Sequence, residues 1–201
     1  AAREAFENWD EDFAQQLIQE FRVPMKTTIK KMSRGQKSAV GVIIGLASRA
    51  PLTVFDEPYM GLDAVARQLF YDRLLQDYSE HPRTIVVSSH LIDEISHLLE
   101  HVVVIDQGKI MVDESAEALA ERAVTVVGRA DAVAQVVGNR DVLDREDLGR
   151  IARVTVLGKL NAEEHCLVKD LDLDLIPVSL QQLIVHMTRK NGQNNTASEG
   201  F

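Results

Sequence analysis

The sequence contains a single cysteine, Cys166, among its 201 residues. One thiol cannot form an intramolecular disulfide, so a disulfide-stapled secreted domain is excluded and a reducing compartment is favoured. No apolar run approaches the ~20 residues that a bilayer-spanning helix needs. The acidic first ten residues show no secretory pattern. We therefore expect a cytoplasmic protein.

Basic residues are also in deficit. The chain has 22 Lys and Arg against 31 Asp and Glu, which gives a net charge of −9. Because a nucleic-acid-binding surface needs a clustered excess of positive charge, no nucleic-acid partner is expected. The hydrophobic fraction of 45% and the chain length suffice for one large domain or two small ones.

Strand-like and helix-like patterns alternate over about residues 32–122. A largely buried helix is predicted from Gly35, with Ser33 as its N-cap. The apolar runs 51–55 and 83–89 favour buried strands. The helix between them has an apolar stripe at Leu62, Val65, Leu69, Leu74 and Tyr78. This alternation is typical of a parallel α/β sheet, and a hairpin turning at Gln107-Gly108 is predicted after it.

The pattern changes beyond residue 122. Residues 123–128 and 150–158 predict strands, and residues 130–137 predict a helix between them. The segment LVKDLDLDLI, residues 167–176, alternates strictly and predicts a half-exposed strand with one acidic face. An amphipathic helix over 179–189 and a disordered polar tail over 190–201 complete the chain. We expect a small α+β domain here.

Two adjacent carboxylates, Asp56 and Glu57, follow the first predicted buried strand. Carboxylates at such a position need a cation or hydrogen bonds, and ligands bind at the carboxyl ends of parallel strands. Asp56 is therefore a candidate Mg²⁺ ligand in the presence of nucleotide phosphates, and Glu57 can orient or deprotonate a water. An acidic helix start is the alternative.

Two further polar groups occur in the same region. His90 directly follows the second predicted strand and would face the same crevice as Asp56 and Glu57. The stretch KKMSRGQKSAV, residues 30–40, begins a helix whose free N–H groups can bind a phosphate. Gly35 permits close backbone approach, and Ser33 and Gln36 offer hydrogen bonds. Taken singly, His90 would ordinarily be interpreted as a core histidine, and residues 30–40 as a solvated helix cap.

Together these segments resemble the ATP-binding-cassette (ABC) ATPase family over about residues 10–122. MSRGQ (32–36) is similar to the signature motif of that family, and LTVFDEP (52–58) to its Walker B strand. GLD (61–63) is similar to its D-loop, and SSH (88–90) to the motif that carries its switch histidine. The resemblance implies a C-terminal part of a P-loop ATPase core.

The resemblance implies specific roles, since two nucleotide-binding subunits of this family sandwich ATP head to tail. Asp56 would support Mg²⁺, Glu57 would be the catalytic base and His90 would contact the γ-phosphate. The residues implied at the partner subunit's nucleotide, or linking the two sites, are Ser33, Arg34, Gly35, Gln36 and Asp63. The implied cofactors are ATP and Mg²⁺.

The chain departs from the family pattern at three places. Arg34 stands where the signature commonly has its first glycine, and Tyr59 stands where a threonine often follows the proline. No G-x-x-x-x-G-K-[ST] motif is present, although that loop supplies most triphosphate contacts. We therefore expect a C-terminal portion of a longer ATPase, inactive alone and liable to self-association through an uncovered face of its sheet.

The resemblance also implies a domain plan. Residues 1–31 would be the remainder of a helical subdomain, 32–122 the ATPase core, and 123–189 a small α+β accessory domain before the tail at 190–201. The segment PVSLQQLIVHMTR, residues 177–189, is similar to the ending of many exporter-type subunits.

The leading hypothesis is the ATPase subunit of an exporter, paired with a second nucleotide-binding subunit as a homodimer or heterodimer. Separate transmembrane permease subunits would hold it at the inner face of the membrane, docked near Phe13–Phe21. Two alternatives stay open. One is a non-transport ATPase of the same superfamily, acting in chromosome maintenance, DNA repair or translation. The other is a ligand-sensing regulatory role for residues 123–189.

Overall fold

The computed structural model describes residues 2–188. The chain divides into two compact units, residues 1–90 and 91–201. Each unit has its own elements and its own buried side chains.

The first unit is mainly helical, with one pair of strands. Its helices are α1 (Ala2–Ala5), α2 (Glu11–Glu20), α3 (Arg34–Ser48) and α4 (Ala64–Glu80), with a 3₁₀ turn at Ile29–Lys31. Strands β1 (Leu52–Asp56) and β2 (Thr84–Ser88) pair in parallel, with Asp56 opposite Ser88.

Helix α3 begins where the sequence predicts. The Ser33 hydroxyl accepts from the Gln36 N–H at 3.2 Å, and the Gln36 side chain accepts from the Ser33 N–H at 3.0 Å. This reciprocal capping box satisfies two of the free amides at the helix start. The helix then buries an apolar stripe that includes Val42 and Leu46, as predicted.

The two strands are less buried than their apolar sequences predict. Thr53 and Phe55 are buried, whereas Leu52 is 58% exposed and Val54 is 63% exposed. Strand β2 has no fully buried residue, and Val86 is 47% exposed. Within the described residues, β1 and β2 pair only with each other. The prediction of two buried strands is therefore wrong for one face of this pair.

Helix α4 is present, but its buried face differs from the predicted stripe. Phe70, Tyr71 and Leu74 are buried, whereas Val65 is 80% exposed. The Phe70 ring meets Phe55 of β1 edge-on, with ring centroids 5.3 Å apart. Helix α4 therefore packs against the sheet through its aromatic residues. The aliphatic positions from which the helix was predicted do not all lie on that buried face.

The second unit opens with short turns and a hairpin. Helix α5 (Ile92–Ile95) leads through a 3₁₀ turn to β3 (His101–Asp106) and β4 (Lys109–Ser115), which are antiparallel. The predicted turn at Gln107-Gly108 is present, and both residues have positive φ, at 48° and 75°. Such angles are those of a two-residue hairpin turn.

The hairpin groups with the later residues rather than with the first unit. Val102 and Val112 share a buried cluster with Leu119, Leu183 and neighbouring apolar residues. The compact units thus divide after His90, whereas the domain plan from sequence placed its boundary at 122. The division is set by contacts between apolar side chains that are distant in sequence. Local sequence patterns do not predict such contacts.

Residues 123–177 form a four-stranded antiparallel sheet with two helices. The elements are β5 (Ala123–Arg129), α7 (Ala130–Val137), β6 (Val142–Leu148), β7 (Ile151–Leu157), α8 (Ala162–Asp170) and β8 (Asp174–Pro177), preceded by α6 (Ala116–Ala120). The strand order is β6-β7-β5-β8. This βαββαβ arrangement is the split-βαβ, or ferredoxin-like, topology. The small α+β unit predicted from sequence is confirmed.

One predicted element of this unit, the strand over residues 167–176, is wrong. The alternating segment 167–176 is not one strand: helix α8 runs through Asp170, and only Asp174–Pro177 is extended. Asn161 caps α8 in a capping box with Glu164. The helix that begins there continues through Asp170, although residues 167–176 alternate between apolar and polar side chains. Residues 180–188 are helical, whereas the predicted disordered tail lies outside the described residues.

No helix within residues 2–188 is long and apolar enough to cross a bilayer.

Candidate functional site

At the ends of β1 and β2, Ser88 contacts both residues of the predicted carboxylate pair, Asp56 and Glu57. Ser88, opposite Asp56 in the parallel register, donates its hydroxyl hydrogen to the Asp56 carboxylate at 2.6 Å. The same hydroxyl accepts from the Glu57 N–H at 2.9 Å. Ser88 therefore fixes the direction in which the chain leaves β1.

Glu57 has a left-handed backbone conformation, with φ of 46°. Non-glycine residues adopt this region at a cost in free energy, and such residues concentrate at functional sites. The turn is held by the Met60 N–H, which donates to the Glu57 carbonyl at 3.0 Å. This conformation directs the side chain of Glu57 to His90 on the neighbouring strand end.

His90 contacts the Glu57 side chain, and Tyr59 contacts His90. The Nδ1 of His90 lies 2.9 Å from each carboxylate oxygen of Glu57. The Tyr59 hydroxyl lies 3.2 Å from the same Nδ1 and accepts from the backbone N–H of His90 at 2.9 Å. The His90 side chain is 66% exposed, whereas Tyr59 is buried. The cluster thus combines a buried tyrosine, a half-buried carboxylate and an exposed imidazole.

Two opposing effects act on the pKa of Glu57. Burial raises this pKa, but hydrogen bonds from Tyr59 and His90 together outweigh it, so the pKa lies below the ordinary glutamate value. Burial, followed by the hydrogen bond to Glu57, raises the pKa of the Tyr59 phenol. At neutral pH Glu57 is therefore a carboxylate and Tyr59 a neutral hydroxyl. An ionised carboxylate can accept a proton or orient a water.

The predicted signature residues lie at the other polar group, the start of α3. Ser33 and Arg34 are exposed, and Gly35 and Gln36 are half-buried. The side chains of Ser33 and Gln36 are engaged in the capping box described above. The helix start nevertheless presents its remaining N–H groups at an exposed end, which is the geometry that binds anions.

Gly35 is needed here for contact with the loop after β1. A Cβ on Gly35 would lie 2.3 Å from the Gly61 carbonyl oxygen, and Gly61 itself has φ of 84°. The Ser38 hydroxyl also donates to the Met60 carbonyl at 2.5 Å. The start of α3 and the loop 60–63 therefore lie against each other. Asp63, at the end of that loop, caps α4 by accepting from the Ala66 N–H at 2.8 Å.

We expect Gly35→Ala to destabilise the first unit by about 1–3 kcal/mol, because the new methyl meets a backbone oxygen that cannot rotate away. Gly41→Ala in the same helix is the matched control, since nothing lies within 4 Å of its Cβ position. That control should stabilise by about 0.5–1 kcal/mol through helix propensity. Denaturant unfolding followed by fluorescence of the single tryptophan, Trp9, measures both. Equal effects of the two substitutions would contradict the close contact.

The predicted site residues thus fall into two groups. Asp56, Glu57 and His90 meet at the strand ends, and Ser33, Arg34, Gly35 and Gln36 form the start of α3. Asp63 ends the loop that touches α3. Two contributing residues were not predicted, Ser88 and Tyr59. Ser88 could have been inferred from parallel pairing opposite Asp56, whereas the bonds of Tyr59 depend on side-chain packing.

The strand-end group fits a Mg²⁺–nucleotide complex. Mg²⁺ typically takes one or two protein carboxylates, and waters and phosphates complete its octahedron. Asp56 is exposed and hydrogen-bonded to Ser88, which matches such a sparse protein contribution. Among residues 2–188, there is no group of three or more His, Cys, Asp or Glu side chains that could hold a metal ion.

Comparison with known proteins identifies a matching family model and several relatives. Residues 17–96 match the family model described as "AAA domain, putative AbiEii toxin, Type IV TA system". The lantibiotic transport ATP-binding protein SrtF of Streptococcus pyogenes is 32% identical over 44% of this chain and 38% of its own length. The ABC transporter ATP-binding protein YtrB of Bacillus subtilis is 18% identical over 91% of this chain and 64% of its own length.

A solved structure supports the same fold. The ATP binding subunit of an ABC transporter superposes with a TM-score of 0.52 and 21% identity, over 59% of this chain and 51% of that one. The two relatives and this neighbour are ATP-binding proteins of ABC transporters, and the chain is similar to them. The chain spans about two fifths to two thirds of the length of the two curated relatives.

Proposed function

We propose that this chain supplies the catalytic strand ends and the signature helix of an ATP-hydrolysing ABC transporter subunit. The observation that carries the proposal is the convergence of Asp56, Glu57 and His90 at the ends of two parallel strands. Two carboxylates and an imidazole at that edge suit phosphoryl chemistry better than a purely structural contact, because His90 and Asp56 are exposed there.

Each residue of the strand-end group has a distinct proposed role. Asp56, oriented by Ser88, would hold Mg²⁺, and Glu57 would accept the proton of the attacking water. His90 would donate a hydrogen bond to the γ-phosphate. Bound Mg²⁺ would supply neutralisation of the phosphate oxygens. The lowered pKa keeps Glu57 ionised at neutral pH, the state that a base requires, and at the same time makes its carboxylate a weaker proton acceptor than an ordinary glutamate.

The start of α3 would serve a second nucleotide-binding subunit. Ser33, Gly35 and Gln36 would direct the helix N-terminus at the γ-phosphate held by that subunit, with Arg34 as an additional cation. The contact between Gly35 and Gly61 supports a linked movement of this segment with the loop that ends at Asp63. Under this proposal residues 32–122 act as the ATPase core, and residues 123–189 act as an accessory domain.

The proposed setting is the cytoplasmic face of a membrane, with transmembrane permease subunits as partners. SrtF is named as a lantibiotic transport protein, and OsmV of Salmonella typhimurium as an osmoprotectant import protein. We propose export as the direction. This choice rests only on the similarity of residues 177–189 to exporter-type endings, because the relatives include an import protein.

ATP turnover by the complete assembly, including a phosphate-binding loop and the permease, tests the proposal. His90→Ala is expected to lower kcat by about 10²-fold, as loss of a group that stabilises developing phosphate charge. His101→Ala is the matched control, since His101 is also an exposed histidine 2.7 Å from a carboxylate. It should leave kcat unchanged.

The 201-residue chain alone is the further arm of this experiment. It contains no G-x-x-x-x-G-K-[ST] motif, so we expect no turnover and no tight MgATP binding from it. Equal kcat values for the wild type and His90→Ala assemblies would refute the role of His90. Hydrolysis by the chain alone would show that a different set of groups binds the phosphates.

A further inference from the structure

We propose that Tyr59 is a positioning residue that holds the Glu57 carboxylate and the His90 imidazole in one fixed arrangement. Its ring is buried, with 4% of the residue exposed, and it packs edge-on against the His90 ring with centroids 5.6 Å apart. Its hydroxyl therefore reaches both polar groups from inside the fold. Its mechanistic meaning rests on the function proposed above, but the arrangement itself is a property of this chain.

The hydroxyl connects three atoms that belong to two different strand ends. It accepts a hydrogen from the backbone N–H of His90 at 2.9 Å. It lies 3.2 Å from Nδ1 of His90, and it is close enough to the Glu57 carboxylate for a hydrogen bond from it to lower the pKa of Glu57. The Ser89 side chain is a further hydrogen-bond partner, and because this bond lowers the pKa of Tyr59, Ser89 is the donor in it. The hydroxyl has one hydrogen of its own, so it can donate either to Glu57 or to Nδ1 of His90, not to both.

The hydrogen count selects one arrangement. A glutamate carboxylate accepts hydrogen bonds and donates none, so Nδ1 of His90, at 2.9 Å, must carry a hydrogen and donate it. Nδ1 is then not an acceptor, and the Tyr59 hydroxyl donates to Glu57. Every hydrogen then has an acceptor: the His90 N–H donates to Tyr59, and Tyr59 and Nδ1–H both donate to Glu57. Nε2 is the imidazole nitrogen left for a ligand.

The hydrogen bond between Tyr59 and the His90 backbone means that the arrangement does not depend on side-chain contacts alone. The His90 side chain is 66% exposed, and an exposed imidazole bonded only to Glu57 would be free to rotate away. Tyr59 binds the backbone of His90 as well as the carboxylate that the imidazole faces. The residue could instead be a filler of the apolar core, and the two readings differ only in what the hydroxyl does.

Tyr59→Phe separates these readings, because phenylalanine keeps the ring and removes only the hydroxyl. In the 201-residue chain we expect the His90 amide to exchange with solvent about tenfold faster in Tyr59→Phe, because its acceptor is lost. Imidazole ¹⁵N spectra should show Nδ1–H on His90 in the wild type and a mixture of tautomers in the variant. Tyr78→Phe, on α4, is the matched control and should change neither.

A second variant keeps the proposal testable should Tyr59→Phe fail to fold. Glu57→Gln retains Tyr59, so the His90 amide should stay protected while the tautomer of the ring changes. Unchanged exchange and an unchanged tautomer in folded Tyr59→Phe would overturn the proposal, as would loss of amide protection in Glu57→Gln.

Turnover then tests the catalytic consequence. In the ATP-hydrolysing assembly, Tyr59→Phe is expected to lower kcat about tenfold while KM for ATP stays within about twofold, because the nucleotide contacts are kept. Altered spectra with an unchanged kcat would overturn a positioning role in catalysis. An assembly whose wild type shows no hydrolysis would refute the proposed function, and the spectra of the chain would still decide whether Tyr59 fixes Glu57 and His90.

Discussion

Glu57→Gln is expected to reduce kcat for ATP hydrolysis by the complete assembly by about 10²-fold or more, the usual contribution of a general base. Glutamine has nearly the same shape, and its carbonyl oxygen can still accept from Tyr59 while its amide N–H donates to Nδ1 of His90. It cannot take a proton from water. ATP binding should persist, since in this assignment Glu57 contacts neither the adenine nor the ribose of the nucleotide. Single-turnover kinetics and equilibrium binding of ATP measure the two effects separately.

Glu7→Gln provides the control, because Glu7 is an exposed glutamate of the same unit, away from the strand ends. Its kcat should match that of the wild type. Undiminished turnover in Glu57→Gln would remove Glu57 from the role of base. A parallel loss of ATP affinity would indicate that Glu57 acts on binding, and the proton acceptor would then have to be sought elsewhere in the assembly.

The parts of this site that sequence could predict are those determined by local chemistry. Ser33 precedes an apolar helical run and has Gln36 three residues later, which is a helix-start pattern by itself. Asp56 and His90 each end an apolar strand, and parallel pairing of two such strands puts their carboxyl ends at one edge. The convergence of Glu57 and His90 followed from that inference alone.

The parts that sequence could not predict depend on contact between distant residues. Leu52 and Val54 have the composition of a buried strand, but burial requires a neighbour on that face, and sequence patterns do not supply one. The close approach of Gly35 to Gly61 likewise arises from tertiary packing, although Gly35 was selected for its lack of a side chain. The error over residues 167–176 has a different cause. The Asn161–Glu164 capping box is a local sequence pattern that predicts a helix, and it is a stronger signal than the alternation that predicted a strand.

Away from the site, an ionic cluster ties the helices of the first unit together. Asp77 of α4 is 3% exposed and lies 2.7 Å from Nη2 of Arg83 and 3.2 Å from Nε of Arg49. Arg49 ends α3 in a left-handed conformation and also lies 2.9 Å from Asp10, the N-cap of α2. One buried carboxylate thus neutralises two guanidinium groups from different parts of the chain.

Asp77→Ala is expected to destabilise the first unit by about 3–5 kcal/mol, because it leaves the guanidinium of Arg83 buried without a counter-charge. The Arg83 side chain is only 5% exposed, so water cannot replace the lost partner without opening the core. Such a loss is comparable with the lower end of typical domain stability, about 5 kcal/mol. Urea unfolding followed by Trp9 fluorescence reports on this unit specifically, because Trp9 is the single tryptophan.

Asp72→Ala is the matched control on the same helix. Asp72 is exposed and accepts one hydrogen bond from Gln68 at 2.9 Å, so its loss should cost no more than about 0.5 kcal/mol. Arg83→Met in the Asp77→Ala background removes the stranded charge and should recover part of the lost stability, because an apolar side chain suits the vacated interior. Equal unfolding midpoints for Asp77→Ala and Asp72→Ala would mean that the buried ion pairs contribute no more than a surface contact. The helices would then be held by their apolar faces alone.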